Sequence, residues 1–256
     1  MIKRLALMIL FPLAIFCQYG DYGSTRKSQV VAVEYNPKNI FSLYVNPMDQ
    51  DGNFQQVGKL VNFADTSKSG TLTGYTAPFL TEYTDSGLTL TAASTQYITF
   101  GNNFDVTTGD FTLFAIAKQT DISASRHWIG KRTSSGNYYR IYMNTAGNIV
   151  AETNSGSTYK AVTATGNNSG SYVMAMLVRS GGTLYLYRNN VSVGTPVEQT
   201  LTLTNAANFE IGKIISTNYF EGIFAAGGFV GSALSNAQRT QLYSYLKSNY
   251  PLLSLP

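Results

Sequence analysis

The sequence predicts an all-β protein: an antiparallel β-sandwich of jelly-roll type with one short C-terminal helix. Two patterns carry that prediction. Short runs of alternating apolar and polar residues recur along the chain, and alternation at period two marks strands with one buried face. Turn pairs rich in Gly and Asn separate the runs at the spacing of a meander. Composition agrees, because only 12% of the residues are charged while 18 are Tyr and 14 are Phe. Long solvated helices would need more Lys and Glu, whereas strands favour aromatics. A chain of 256 residues accommodates one large sandwich.

Taken in order, the chain opens on MIKRLALMILFPLAIFCQYG, which reads as a secretory signal: Lys3 and Arg4, an apolar run from Leu5 to Phe16, then Cys17. That run is shorter than the roughly 20 residues a bilayer span needs. Cys17, the only cysteine, stands where a lipoprotein signal places the residue that takes the lipid. It also stands where a signal peptidase would cut to leave Gln18 as the new N-terminus, and both readings stay open. Residues 1–17 are signal in either case, and the exported chain is expected at the cell surface, anchored to the outer membrane or extracellular. It has no disulfide and must hold by sheet packing. Membrane contact is expected only through the signal segment or a lipid anchor.

Residues 18–70 read as a polar, Gly-rich tether followed by strands at 30–33, 40–45 and 57–63, with Asp51-Gly52 as a turn. These strands either begin the sandwich or form an N-terminal extension. Residues 71–256 read as the sandwich itself, with strands at 88–90, 97–100, 111–117, 128–131, 138–143, 149–152, 172–178, 184–187 and 209–212. Turns fall at Ala146-Gly147-Asn148, Ser180-Gly181-Gly182 and Asn189-Asn190. One helix follows: Ser235 caps it, Gln238 completes a capping box, Leu242, Tyr243 and Leu246 form its apolar stripe, and Pro251 stops it.

Charge excludes one class of partner. The formal net charge is +4, and it falls to about +2 once Lys3 and Arg4 leave with the signal. That is too weak and too scattered to steer toward nucleic acid.

The succession of pieces from Gly87 to Pro251 resembles the laminin-G-like, concanavalin A-like lectin/glucanase superfamily. Leu88-Thr89-Leu90 and Gln96-Tyr97-Ile98-Thr99-Phe100 are similar to the family's opening hairpin, and the run from Gly109 to Lys118 to its central strand. Leu184-Tyr185-Leu186-Tyr187-Arg188-Asn189-Asn190 resembles the return strand of its long hairpin. Phe209-Glu210-Ile211-Gly212 and the tail Gly231-Ser232-Ala233-Leu234-Ser235 follow in the family's order. The resemblance implies a sandwich whose loops present a site for glycans, lipoproteins or proteins, often with Ca²⁺, and some members are glycosidases.

Each implication meets the residues present. Glycoside hydrolysis needs two carboxylates about 5–10 Å apart, and Glu152, Glu198, Glu210 and Glu221 stand singly in the sequence. His127 is the only histidine, which leaves a serine triad one base and no nucleophile elbow, and leaves zinc short of ligands. For Ca²⁺ the oxygen-bearing loops are Asp49, Asp51 and Asn53, the metal-site expectation, and Asn102, Asn103 and Asp105. A saccharide site combines aromatic faces with planar hydrogen-bonding groups, and Arg126, His127, Trp128, Asn137, Tyr138, Tyr139 and Arg140 gather both around one hairpin. These seven are the expected ligand-binding residues. The expected function is a non-catalytic exported protein that binds a glycan or other cell-surface component. Self-association as a subunit of a surface layer, filament or virion is the competing reading, and a glycoside hydrolase using Glu210 or Glu221 is the third.

Overall fold

The computed structural model describes residues 35–49, 59–75, 83–84, 86–133, 136–215 and 218–256, apart from the side chains of residues 49, 83 and 84. Residues 1–17 with Cys17, the expected strand at 30–33 and the Asp51-Gly52 turn lie outside the described residues.

Two antiparallel sheets stack face to face. The first runs, edge to edge, β14 (Val191–Glu198), β13 (Thr183–Arg188), β12 (Val173–Ser180), β7 (Phe111–Gln119), β16 (Gly222–Val230), β5 (Gly87–Leu90) and β4 (Tyr83–Thr84). β1 (Leu43–Val45) lies beside the C-terminal half of β16, next to β5, with Leu43 opposite Phe229. The second sheet runs β11 (Thr158–Ala164), β10 (Ile149–Ser155), β9 (Tyr138–Met143), β8 (Arg126–Arg132), β15 (Phe209–Ile211), β6 (Tyr97–Thr99), β3 (Gly70–Thr73) and β2 (Lys59–Leu60). The fold is the expected sandwich, consistent with a jelly roll, with one helix of α type among the described residues, α1 (Asn236–Asn249).

Turn chemistry sets the hairpins. β12 passes to β13 through Gly181-Gly182 at φ 55° and 76°, and β13 to β14 through Asn189-Asn190 at φ 50° and 66°. Two successive residues at positive φ give the turn whose twist matches antiparallel strands, and Gly and Asn reach it with least strain. Asn144 Oδ1 accepts from the N–H groups of Ala146 and Asn148, each at 3.0 Å, and so shapes the turn between β9 and β10.

Alternation decides what enters the core. Phe111, Leu113, Ala115 and Ala117 of β7 meet Val173, Ala175 and Leu177 of β12, Leu184 and Leu186 of β13, and Tyr139, Ile141, Met143, Ile149, Phe209 and Ile211 from the facing sheet. The sequence pattern is less alternating in β7 and β12 because their other face is buried too. Phe114, Ile116, Met174, Met176 and Val178 point away from this core yet are at most 2% exposed. Strands buried on both faces read as continuous apolar runs.

The covering layer comes from both ends of the unit Asn36–Pro256. Phe41 and Tyr44 place their rings 5.1 Å and 6.4 Å from that of Phe114. Asn62, fully buried, accepts from the N–H of Tyr44 at 3.0 Å and donates to the carbonyl of Ser42 at 3.1 Å. The segment 42–45, beside β16, is thereby tied to residue 62, and Asn36–Pro256 form one compact unit. α1 covers the other half of the layer. Its capping box, Ser235 with Gln238, is formed on both sides, and Leu242 and Leu246 are fully buried. Arg239 stacks 4.0 Å from the ring of Tyr187, and Leu234 N–H donates to Thr112 Oγ1 at 3.0 Å.

Trp128 belongs to this packing. It is fully buried, its indole N–H donates to Gln119 Oε1 at 2.8 Å, and Phe220 meets it edge-on at 6.4 Å. Trp128→Ala is therefore expected to lower unfolding free energy by about 3–5 kcal/mol, measured by urea unfolding. A loss below about 1 kcal/mol would show that the indole is not a core element.

Candidate functional site

The seven residues expected to bind ligand separate into three places. Trp128 and Tyr139 are in the core, and the Tyr139 hydroxyl donates to the Phe104 carbonyl. They offer no face to a ligand, which corrects the expectation for them. The cause is a bulge: the register of β8 against β9 shifts between His127 and Ile129, so Trp128 and Ile129 both enter the core. Arg126 and Asn137 tie loops at opposite ends of the β8–β9 hairpin. Arg126 pairs with Asp121 and donates to the Tyr219 carbonyl at 3.0 Å, while Asn137 donates to the Thr204 carbonyl at 2.9 Å and accepts from Gly156 N–H at 2.8 Å. Tyr138, Arg140 and His127 lie on the outer face of the second sheet, and only these three come together.

On that face they meet residues the hairpin reading did not include. Tyr138, Arg140 and Tyr142 alternate with the core residues Tyr139, Ile141 and Met143 along β9. Glu152 stands opposite Arg140 on β10, Tyr159 comes from β11, and Arg132 stands opposite Tyr138 on β8. The Arg140 Nε donates to Glu152 Oε1, and the Tyr159 hydroxyl donates to Glu152 Oε2 at 2.8 Å. Arg140 lies 4.1 Å from the Tyr142 ring centre, and Arg132 4.8 Å from that of Tyr138. Every substantial contact of β8, β9 and β10 with another described element is with a sheet neighbour or a strand across the core. No other described element stands over the face, on which Tyr159 is 53% exposed and Tyr142 and Arg132 are half-buried, while Tyr138, Arg140, Glu152 and His127 are themselves buried.

The face continues across β15 and β6. Lys213 lies 4.0 Å from the Tyr97 ring and 3.7 Å from Glu210, and Tyr219 packs beside Tyr97 with ring centres 6.2 Å apart. Between the two groups sits Gly130 at φ 146°, opposite both Glu210 and Arg140. A Cβ there would come within 2.4 Å of the Tyr139 carbonyl, so the strand bears no side chain at the centre of the face.

Burial and charge set the chemistry of this surface. Burial first, then the Glu152 carboxylate, pushes the Tyr142 hydroxyl up to about 12 and raises Tyr138 and Tyr159 as well. All three stay protonated donors. Burial also raises the Glu210 carboxyl, with Lys213 opposing it. In the register Glu210, Gly130, Arg140 and Glu152 form one row over β15, β8, β9 and β10. The backbones that carry the two carboxylates of the row are therefore three strand spacings apart, about 14 Å, where glycoside hydrolysis uses carboxylates roughly 5–10 Å apart. Glu221 sits elsewhere and accepts from Ala92 N–H at 2.6 Å.

The calcium expectation fares differently in its two loops. Asp51, Asn53 and the side chain of Asp49 lie outside the described residues. In the other loop the oxygens are already used: the fully buried Lys131 ammonium is held by Asn102 Oδ1 and Asp105 Oδ1, each at 2.5 Å, and by the Asn103 carbonyl at 3.3 Å. An internal cation fills the place a Ca²⁺ ion would take, so this loop does not fit one.

The chain can now be set against known proteins. The family model of the concanavalin A-like lectin/glucanases superfamily, laminin G type, matches residues 92–238. Among solved structures, domain 4 of AbnA, a GH43 extracellular arabinanase from Geobacillus stearothermophilus in complex with arabinotriose, is similar with a TM-score of 0.58 at 13% identity, over 80% of this chain and 98% of that one. The binding domain of Paraclostridial Mosquitocidal Protein 1 gives 0.59 at 11% identity over 82% of this chain and 53% of that one. The receptor binding domain of botulinum neurotoxin D gives 0.59 at 13% identity over 82% and 54%. This chain spans about half the length of the two toxin structures, and at these identities the likeness is one of fold. No curated protein sequence matches the chain.

His127 supplies a test of the arrangement. Its ring is 1% exposed, its Nε2 lies 3.3 Å from the Glu210 carbonyl, and its Nδ1 is buried with no partner. Burial foremost, then Arg140 and Arg132, holds it well below its ordinary 6.5. The unfolded chain therefore binds a proton that the folded one refuses, and stability is lost as pH falls below about 6.5. His127→Gln is expected to flatten that slope in melting temperature between neutral and mildly acid pH. An unchanged slope would mean that His127 takes up its proton in the fold as readily as in the unfolded chain.

Proposed function

The chain belongs to the concanavalin A-like lectin/glucanase superfamily, and within it we propose a non-catalytic module that binds a saccharide on the outer face of its second sheet. One observation carries the reading: the exposed Tyr159 and the half-buried Tyr142 stand beside the buried Arg140–Glu152 pair on a face that no other described element covers. Aromatic rings give a sugar's C–H faces a surface to pack on, and the phenols and the guanidinium group give its hydroxyls planar, directed partners. Nearly all of that hydrogen-bonding equipment is held in place before any ligand arrives, which reduces the ordering cost of binding. The arabinanase domain seen with arabinotriose lends the fold to this reading.

The proposed setting is the cell surface or the extracellular space, with residues 1–17 as the export signal and Cys17 either lipidated or removed. No described helix is long and apolar enough to cross a membrane. Self-assembly by strand addition is opposed at one edge of the first sheet, where β14 carries Pro196 within an irregular stretch of its pairing with β13 and leans on β11.

The test is a glycan array followed by calorimetry with a saccharide that binds. Tyr142→Ala and Tyr159→Ala are each expected to weaken that saccharide about tenfold, or about 1.4 kcal/mol, while the melting transition is retained. Affinity unchanged in both variants would move the site off this face. Absence of saccharide binding, with concentration-dependent assembly in size exclusion, would replace the reading with the structural one.

A further inference from the structure

The cations of this face are unevenly partnered. Arg140 has Glu152 and Lys213 has Glu210. Arg132 is half-buried on the same face, yet among the described residues it has neither a carboxylate nor a hydrogen bond, and its Nε is buried without a partner. Its guanidinium is laid on the Tyr138 ring at 4.8 Å, and that ring also receives Arg140 at 5.9 Å. A cation stacked on an aromatic face keeps its edge N–H groups free for an oxyanion, the geometry in which Arg recognises carboxylate or sulfate through two parallel bonds.

The surroundings leave the positive charge uncompensated. Arg132, Arg140 and Glu152 sum to +1 where they meet, and Glu152 is already shared between Arg140 and the Tyr159 hydroxyl. The remaining neighbours are His127, which is neutral, and the phenols of Tyr138 and Tyr142, which are donors. The two guanidinium groups contribute, after burial, to keeping His127 uncharged.

Resting on the reading of this face as a saccharide site, we infer that the saccharide is acidic and that Arg132 receives its carboxylate or sulfate group while the tyrosines of β9 and β11 hold the ring. An acidic group at that point completes the one cation of the face that the protein leaves without a counter-ion among the described residues. A neutral saccharide would have to cover the Arg132 edge without that exchange.

The experiment measures the full chain against matched pairs that differ only in charge: polygalacturonate against its full methyl ester, hyaluronan against its carboxyl-reduced form, and chondroitin sulfate against desulfated chondroitin. One acidic member is expected to bind about tenfold or more tightly than its matched partner, with the difference shrinking as salt rises. The polygalacturonate and hyaluronan pairs report a carboxylate, and the chondroitin pair a sulfate. Arg132→Gln is expected to bring the acidic member down to its partner, and Arg132→Lys to recover only part of the difference. Equal binding within all pairs, or an acidic preference untouched by Arg132→Gln, overturns the inference while the saccharide reading stands. Failure of every pair and of every saccharide on the array overturns both.

Discussion

Burial of the first sheet on both faces is the constraint from which the rest of the molecule follows. β7 and β12 bury Phe111, Leu113 and Leu177 against the second sheet and Phe114, Met174 and Met176 against the covering layer. Strands so placed must be apolar throughout, which costs them any role in meeting a polar ligand. The covering layer is assembled from the two ends of the unit, residues 36–48 and α1 with the segment after it. Among the described elements the second sheet has no such cover over β8, β9 and β10, and its outer face carries polar side chains. The difference between the sheets follows from where the two ends of that unit pack.

The outer face of the second sheet holds charge in fixed positions. The buried Arg140–Glu152 pair contributes little net stability, because desolvating both groups offsets their attraction. Its effect is positional: Glu152 fixes Arg140, and through Tyr159 it fixes an edge strand to the same point. Tyr142 and Tyr138 serve as beds for the two arginines. Elsewhere the same economy is structural. Lys131 holds the loop at 102–105, and Arg179 donates to the carbonyls of Thr107, Gly109 and Leu201. Buried cations bind loop oxygens in this sandwich and so do work that a metal ion does in other proteins.

Much of the fold was legible because its signals are local. Period-two alternation, the Gly181-Gly182 and Asn189-Asn190 turns and the Ser235 capping box each depend on a few neighbouring residues, and each is present as read. The place of residues 42–45 was not legible, since it depends on Asn62 reaching back to Tyr44 and on β1 finding β16, contacts remote in sequence. For the site, the hairpin residues divide: Trp128 and Tyr139 enter the core, Arg126 and Asn137 tie loops, and His127, Tyr138 and Arg140 lie on the outer face. The β8 bulge turned Trp128 inward, and no local pattern announces a bulge. Glu152 had a signal that was available: counting outward from the turn at Ala146 places it opposite Arg140. Tyr159 and Glu210 had none, because they join the face through strands whose pairing the sequence does not disclose.

The central claim is that ligand meets the second sheet and not the loops at its ends or the helix-covered side. Backbone amide shifts of isotope-labelled protein, followed while a binding saccharide is titrated in, test it most directly. The account predicts that the largest changes fall on β8, β9, β10 and β11 at residues 130, 132, 138, 140, 142, 152 and 159, with α1 and the loop at 102–105 unmoved. Changes concentrated on α1, on the hairpin turns at 181–182 and 189–190, or on the 102–105 loop would contradict it.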